Sequence, residues 1–267
     1  EYNFIIFFKF SLMNRVELIH QLRTKLSKGL FSIGSWMQIP NSIIAEIMGD
    51  SEFEWIAIDM EHGHFSNQIL YDLFRAFELG NTLPLVRLKD DSKTSCKEAL
   101  DAGAGGVIVP MIESEQQLIN VRDNCRWPPS GKRGVAFNRA NMFGKYFFEY
   151  REEAQAPLLI AMIEIEKARK NIDSIFQVEG LDAIMIGPYD LSASLGITGE
   201  FDNQLFLDSI NFILDKCKIH KIPAGIHIVE PDIKKLKEHI KNKYQFIAFS
   251  IDSVLLRNSI KINLQNL

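Results

Sequence analysis

Residues 83–111 read LPLVRLKDDSKTSCKEALDAGAGGVIVPM, and this stretch has the pattern of one strand–helix–strand unit. Its two ends, residues 83–88 and 106–111, are short runs rich in Leu, Val and Ile, which is typical of strands buried on both faces. Residues 93–102 between them predict an amphipathic helix that ends at Gly103, a residue type favoured after helix C-termini. Strand and helix alternating in this way predict a parallel α/β sheet.

The same alternation extends over most of the chain. Further strands are predicted at residues 31–37, 55–60, 158–165, 183–186, 224–228 and 246–251. Further helices are predicted at residues 42–48, 68–79, 115–124, 167–177, 204–220, 232–243 and 254–263. Eight strands in a chain of 267 residues favour a single-domain (β/α)8 TIM barrel over an open doubly wound sheet. No GxGxxG string follows the first strand, which counts against a dinucleotide-binding domain.

Two segments depart from this alternation. Residues 1–12, EYNFIIFFKFSL, are apolar but too few for a membrane-spanning helix, which needs about 20 residues. They also lack the basic start and the cleavage site of a signal peptide. We expect Met13 to be the natural start, and we assign residues 1–17 to an N-terminal extension and residues 18–267 to the barrel domain. Residues 125–157 are too long for a simple connection and predict a functional loop.

The composition argues against several classes of function. The net charge is −4 and the isoelectric point lies near 5.9, whereas a nucleic-acid-binding domain has a basic patch. The cysteines Cys96, Cys125 and Cys217 form no CxxC motif, so neither a disulfide framework nor a zinc site is indicated. We expect a reducing, cytoplasmic location and no nucleic acid, membrane or organic cofactor among the partners.

Reactive side chains follow several of the predicted strands. In a (β/α)8 barrel, functional groups lie at the carboxyl ends of the strands. There the sequence has Asp59, Glu61 and His62 where the second strand ends, Arg87 where the third ends, Glu164 where the fifth ends and Asp190 just after the sixth. Carboxylates, a histidine and an arginine from four strands are therefore expected to converge at one face.

Glu164 and Asp190 follow neighbouring strands and predict a site for a hard cation. Two carboxylates without a nearby cysteine suit Mg²⁺ or Mn²⁺, and they leave about four octahedral positions open for water and substrate. The alternative is that each carboxylate caps the helix that follows it. The residues alone do not decide between these two roles.

The other candidates also have two interpretations each. His62 is suited to acid–base chemistry near neutral pH, although a loop histidine often only bonds a neighbour. Arg87 is suited to binding a carboxylate or an enolate oxygen, or else it pairs with the acids after the second strand. Asp101 either orients His62 or caps its own helix. Backbone N–H groups after Gly187 and Pro188 can bind a substrate carboxylate, or this is only a turn.

Taken together, these strings resemble the HpcH/HpaI aldolase family, the class II pyruvate aldolases typified by 4-hydroxy-2-oxo-heptanedioate aldolase. The matching strings run in order along the chain: GSW at 34–36, IDMEH at 58–62, LVR at 85–87, LDAG at 100–103, VPM at 109–111, GKRG at 131–134, IE at 163–164, IGPYDLS at 186–192 and ID at 251–252. DxEH and IGPxDLS are the most specific, and they favour the metal role of the two carboxylates.

The resemblance implies a role for each residue. Glu164 and Asp190 would bind a divalent metal (Mg²⁺, Mn²⁺ or Co²⁺) that polarises a 2-oxo acid, and no lysine Schiff base is required. Arg87 would stabilise the enolate, and His62 would act as acid and base through a water, oriented by Asp101. The remaining implied site residues are Asp59, which holds water, and the substrate-binding residues Trp36, Gly187, Pro188, Tyr189 and His227. The family also implies a homohexamer, with the last helix packed on a neighbour.

His227 departs from the heptanedioate enzyme, in which the matching position is an apolar Leu facing the aldehyde. We therefore expect a more polar acceptor, such as a sugar-derived aldehyde or a 2-keto-3-deoxy acid. Three alternatives remain: an acyl-CoA lyase similar to citrate lyase β, an oxaloacetate-decarboxylating enzyme similar to macrophomate synthase, and a barrel without catalytic activity that serves binding or assembly. The first would need a basic CoA-phosphate patch, and the third would be expected to lose its acidic residues or His62.

Overall fold

The computed structural model describes residues 10–260, with side chains from residue 14 onward. Eight parallel strands form a closed barrel in which each strand pairs with the next in sequence and the last pairs with the first. The strands are β1 (Ser32–Met37), β2 (Trp55–Asp59), β3 (Leu83–Arg87), β4 (Gly106–Val109), β5 (Leu158–Ile163), β6 (Ala183–Ile186), β7 (Ala224–Ile228) and β8 (Phe246–Ile251). The predicted barrel is confirmed.

Helices surround the barrel. They are α1 (Phe10–Ser27), α2 (Ser42–Gly49), α3 (Asn67–Leu79), α4 (Lys93–Ala102), α5 (Glu115–Cys125), α6 (Arg151–Gln155), α7 (Glu166–Lys170), α8 (Ile172–Ile175), α9 (Pro188–Ser194), α10 (Gln204–His220), α11 (Ile233–Lys241) and α12 (Asp252–Ser259), with a 3-10 turn at Arg139–Asn141. The single helix predicted at residues 167–177 is two short helices, α7 and α8, that meet at Asn171. Among residues 10–260, no helix is long and apolar enough to cross a membrane.

Two apolar cores follow from the alternation of side chains along each strand. Inward-facing residues, including Trp36, Trp55 and Phe246, fill the barrel interior. Outward-facing residues, including Ile56 and Ile184, pack under the surrounding helices in a larger cluster. Strands buried on both faces explain the continuous apolar runs in the sequence.

Helix α1 covers the amino end of the barrel. Ile19, Leu22 and Leu26 belong to the interior cluster, and Arg15 is buried in an ion pair with Glu153 at 2.5 Å. The boundary expected between residues 17 and 18 therefore does not coincide with a structural break, because Arg15 is part of the barrel's own packing. The start expected at Met13 concerns residues 1–12, of which 1–9 lie outside the described part of the chain.

The long segment after α5 is packed rather than open. Trp127, Ala140, Tyr150 and Ala154 form a small core of their own. Within it, Arg133 is fully buried and donates to the Tyr150 hydroxyl at 3.0 Å. The segment covers the carboxyl end of α4, and thus the amino end of the barrel, opposite the expected site.

Candidate active site

The pairing of β2 with β3 places the first two candidate residues side by side. Asp59 and Arg87 are register partners at the carboxyl ends of these strands. Arg87 donates to both carboxylate oxygens of Asp59, from Nε at 2.9 Å and from Nη2 at 2.6 Å. Its Nη1 lies 2.9 Å from Glu61 Oε2. The salt bridges that the sequence left open as an alternative are therefore present, and they fix the guanidinium at the barrel mouth.

Asp59 is held in a fully protein-lined position. It is 0% exposed, and it also accepts from Gln38 Nε2 at 2.8 Å and from the backbone N–H groups of Glu61 and His62 at 3.2 Å. Burial alone would raise its pKa, but the hydrogen bonds and the charge of Arg87 lower the pKa below its usual range. Asp59 therefore stays ionised and keeps Arg87 in place.

Glu164 follows β5, and only one of its two carboxylate oxygens has a hydrogen-bond partner. Its Oε1 accepts from the Met111 backbone N–H at 2.6 Å, whereas its buried Oε2 has no hydrogen-bond partner among the described residues. Burial raises the pKa of Glu164 to about 7, and the negative charges of Glu61 and Asp190 also raise it. A buried carboxylate oxygen without a partner is costly, so this atom is expected to bind something.

Gly187 explains why Glu164 can face β6. A Cβ at this position would lie 2.5 Å from Glu164 Oε2, which is too close for any side chain. Gly187 precedes Pro188, the first residue of α9, and Asp190 lies in the first turn of that helix. The strand-to-helix turn after Gly187 thus places a second carboxylate at the same end of the barrel as Glu164.

Asp190 is exposed and accepts no hydrogen bond from residues 10–260 in this structure. Its charge acts on both Glu61 and Glu164, which shows that the three carboxylates share one region. Neither Glu164 nor Asp190 caps the helix that follows it, so the capping alternative is not observed. The two oxygen donors suit a hard divalent cation.

His62 lies at the rim of this region. Its side chain is 59% exposed, and its Nε2 is 3.9 Å from Glu61 Oε2. Asp101, which the sequence analysis placed beside it, is near the end of α4 at the opposite end of the barrel. There it accepts from Asn138 Nδ2 at 2.8 Å and lies 3.5 Å from Arg133 Nη1. One chain therefore does not bring Asp101 to His62.

Trp36 and His227 lie inside the barrel beneath Arg87. Trp36 is 1% exposed, stacks on His227 at 4.8 Å between ring centroids, and has the Arg87 guanidinium 5.4 Å from its ring. His227 Nε2 lies 3.2 Å from the Ser250 carbonyl oxygen, and burial lowers its pKa to about 4. His227 is therefore neutral at pH 7, and Trp36 supports Arg87 from below rather than lining an open pocket.

Of the carboxylate-binding candidates, Tyr189 is 54% exposed and packs edge-on against Phe201. Pro188 has no N–H, so only its neighbours can donate. The backbone N–H groups of Tyr189 and Asp190 belong to the first turn of α9, where no helix carbonyl is available to them.

Two contributors were not assigned from the sequence. Glu61 was named at the end of the second strand, and its pairing with Arg87 was left open as an alternative, but it was given no role of its own at the site. Gln38 follows β1, where strand ends were not examined for polar residues. Its backbone N–H donates to Asp252 at 2.9 Å, which turns its side chain toward Asp59.

Comparison with known proteins identifies the family. The model of the HpcH/HpaI aldolase/citrate lyase family matches residues 32–259. The chain belongs to this family. It is 33% identical to the hydroxypyruvate/pyruvate aldolase of Roseobacter denitrificans, over 91% of this chain and 95% of that protein. It is 30% identical to the 2-keto-3-deoxy-L-rhamnonate aldolase of Shigella boydii, over 91% of each chain.

A solved structure agrees with this assignment. The HpcH/HpaI aldolase/citrate lyase family protein of Burkholderia cenocepacia has a TM-score of 0.86 and 27% identity, covering 92% of this chain and 98% of that one. The predicted family and the predicted enzyme class, a carbon–carbon lyase of the class II aldolase type, are confirmed.

Proposed function

We propose that this enzyme makes or breaks the bond between the enolate of pyruvate and an aldehyde, and that it needs a divalent metal. One observation supports this most strongly: Glu164 Oε2 is buried without a hydrogen-bond partner among the described residues, at a site where the charge of Asp190 also acts on it. Two carboxylates from neighbouring strands fit Mg²⁺, Mn²⁺ or Co²⁺. Bound there, the cation would act as a Lewis acid toward a 2-oxo acid.

Arg87 supplies the second positive charge. Asp59 and Glu61 hold its guanidinium rigidly, and Trp36 lies beneath it. A donor fixed in advance costs no reorganisation when negative charge develops on the enolate oxygen. Asp59, kept ionised, therefore acts on the reaction through Arg87; its oxygens are buried and already bonded by protein groups, so the geometry supports this positioning role rather than the expected contact with a water.

Proton transfer is assigned to His62. Its exposed imidazole lies at the rim of the acidic site, 3.9 Å from Glu61, and an imidazole there could exchange a proton with the aldehyde oxygen through a water. The pyruvate carboxylate is assigned to the free N–H groups of Tyr189 and Asp190, with Gly187 and Pro188 shaping the turn.

The acceptor is proposed to be a polar aldehyde. His227 is neutral, so it places no second charge beside Arg87, and its ring is a polar surface where an apolar side chain was the alternative. The two curated relatives act, by their names, on hydroxypyruvate, pyruvate and 2-keto-3-deoxy-L-rhamnonate. Both hydroxylated acceptors and 2-keto-3-deoxy acids are therefore the substrate classes to test.

We further propose a homohexamer in a reducing, cytoplasmic environment. Phe137, Phe143 and Phe148 are 68–80% exposed in the segment whose Asn138 bonds Asp101, and exposed aromatic side chains are typical of protein contacts. Asp101 and His62 lie at opposite ends of one barrel, so their pairing requires two copies. Mixing inactive His62→Ala with inactive Asp101→Ala should restore part of the activity if they pair between copies, and no restoration would contradict it.

The reaction is tested by pyruvate C3 proton exchange and by oxaloacetate decarboxylation, each with EDTA and with added Mn²⁺ or Mg²⁺. Exchange should require the metal and should be lost in both Glu164→Gln and Asp190→Asn. Exchange that is indifferent to EDTA would exclude the metal role. Decarboxylation without aldol cleavage of any hydroxylated substrate would favour the oxaloacetate enzyme instead.

A further inference from the structure

The first turn of α12 holds the loop that follows β1. Asp252, the first residue of α12, is 4% exposed, and both of its carboxylate oxygens accept backbone N–H groups of this loop. Oδ1 accepts from Gln38 at 2.9 Å, and Oδ2 accepts from Ile39 at 2.8 Å. The Ser253 hydroxyl donates to Gln38 Oε1 at 3.5 Å. Gln38 is therefore bound to α12 through both its backbone and its side chain.

A bulge in β8 precedes this contact. Between the partners of Gly34 and Trp36, β8 has one residue more than β1. Ser250 lies in the bulge with a φ of 64°, a left-handed conformation that is uncommon for a residue other than glycine. Its carbonyl oxygen accepts from the Ser35 hydroxyl at 3.3 Å, which ties the bulge to β1. A bulge redirects the side chains that follow it, and here Asp252 faces the loop after β1.

Gln38 in turn fixes one oxygen of the Asp59 carboxylate. Its Nε2 donates to Asp59 Oδ2 at 2.8 Å, and the same oxygen accepts from Arg87 Nη2 at 2.6 Å. The backbone N–H groups of Glu61 and His62 donate to the other oxygen, Oδ1. Among the described residues, Gln38 is thus the one donor apart from Arg87 itself that determines where Oδ2 lies. Without this donor, the carboxylate can rotate away from the guanidinium.

We propose that Asp252 is a positioning residue for Arg87. It acts through Gln38 and Asp59, in hydrogen bonds that run from the start of α12 to the ends of β2 and β3. The turn after β8 therefore contributes to the active site without placing a reactive group in it. An oxyanion donor is effective only when its direction is fixed before the charge develops. This inference rests on the proposed role of Arg87 in stabilising the enolate.

The first test is a double-mutant cycle in the full chain, measured by pyruvate C3 proton exchange with added Mn²⁺. Asp252→Ala and Gln38→Leu should each lower kcat about fivefold and change KM for pyruvate less than about twofold, because pyruvate binding is assigned to other residues. The double variant should be at most about twofold slower than the slower single variant, since both residues act through one contact. A further fivefold loss in the double variant would show that they act independently and would overturn the proposal.

Asp232→Ala is the matched control for the loss of a carboxylate at a helix start. Asp232 also accepts two backbone N–H groups, at 2.7 Å and 3.2 Å at the start of α11, but none of its contacts among the described residues leads to Arg87. Its kcat should stay within about twofold of the wild type. Asp252→Asn keeps one acceptor oxygen and should recover part of the loss seen in Asp252→Ala. Equal losses of kcat in Asp232→Ala and Asp252→Ala would contradict a specific role for Asp252.

The second test uses no activity assay, so it separates this inference from the proposed reaction. Phenylglyoxal, an arginine reagent, is added to the substrate-free enzyme, and modification of each arginine is followed by peptide mass spectrometry. Arg87 should react at least about threefold faster in Gln38→Leu and in Asp252→Ala than in the wild type, whereas Arg139, buried at the amino end, should keep its rate.

The outcomes of this test are distinct. Unchanged reactivity of Arg87 in Gln38→Leu, which keeps the backbone contact with Asp252, would overturn the proposal even if the wild type exchanges the protons of pyruvate. A wild type without proton exchange, together with faster modification of Arg87 in both variants, would refute the proposed reaction and support the positioning by Asp252.

Discussion

The two ends of the barrel both contain buried arginine–carboxylate pairs, but their charges are balanced differently. At the amino end, Arg15 pairs with Glu153 and Arg139 pairs with Glu78. At the carboxyl end, Arg87 pairs with Asp59 and Glu61, while Glu164 and Asp190 form no ion pair among the described residues. The amino end is therefore a closed structural region, whereas the carboxyl end holds excess negative charge that a cation can neutralise.

The largest expected effect is a pair of opposite changes in stability. Glu153→Gln removes the nearer of the two counter-ions of buried Arg15, leaving only Glu78 at 3.7 Å, and should lower the free energy of unfolding by about 3 kcal/mol. Glu164→Gln removes a carboxylate whose ionised form is disfavoured by burial. In EDTA at pH 8 it should raise the free energy of unfolding by about 1–3 kcal/mol.

Urea unfolding of both variants measures this contrast. Glu153→Gln should keep its activity per folded molecule, and Glu164→Gln should have none. If both variants lose stability equally, the two ends of the barrel do not differ as described.

The next effect concerns His227 and pH. Its pKa is lowered by burial to about 4, so the unfolded chain takes up the proton more readily than the native one. The neutral His227 therefore contributes to the free energy of unfolding above pH 6.5, and this contribution is lost as the pH falls toward 4. The shift in pKa corresponds to a loss of about 3 kcal/mol. His227→Leu should flatten this loss in urea unfolding at pH 7 and pH 4.5. The exposed His62→Asn is the control and should keep the wild-type pH dependence.

The smallest expected effect is on catalysis, and it distinguishes the roles of two buried arginines, Arg87 and Arg139. Arg87→Ala should lower kcat more than tenfold, because it removes the fixed donor for the enolate oxygen. Arg139→Ala, at the amino end, should lower the unfolding temperature but leave kcat unchanged in the folded enzyme. A kcat for Arg87→Ala within twofold of the wild type would show that its salt bridges are only structural.

The sequence predicted the strands well and the contacts at the amino end poorly. Each strand is a short apolar run, and Asp, Gly or Pro ends or directly follows β2, β4, β6 and β8, so the positions of the strands can be read directly. Asp101 was expected to orient His62, but within one chain it lies at the opposite end of the barrel, because a helix end lies opposite a strand end; the sequence does not show that this pairing would need a second copy. Helix α1 was missed because the apolar residues before Met13 were set aside, although α1 begins at Phe10.

Which side chains contact each other depends on the strand register and on how the barrel closes. Neither can be read directly from the sequence. Trp36 was expected in the substrate pocket, but β1 turns it into the interior, where it supports Arg87. Gln38 reaches Asp59 only because β1 and β2 are neighbours and Asp252 orients the loop between β1 and α2. Such contacts follow from register and closure rather than from residue type.

Mn²⁺ binding followed by electron paramagnetic resonance tests most directly whether the excess charge at the carboxyl end is a metal site. The wild type should bind one Mn²⁺ per chain, and both Glu164→Gln and Asp190→Asn should weaken binding at least tenfold, whereas Glu153→Gln should not. Equal Mn²⁺ affinity in the wild type, Glu164→Gln and Asp190→Asn would contradict the account.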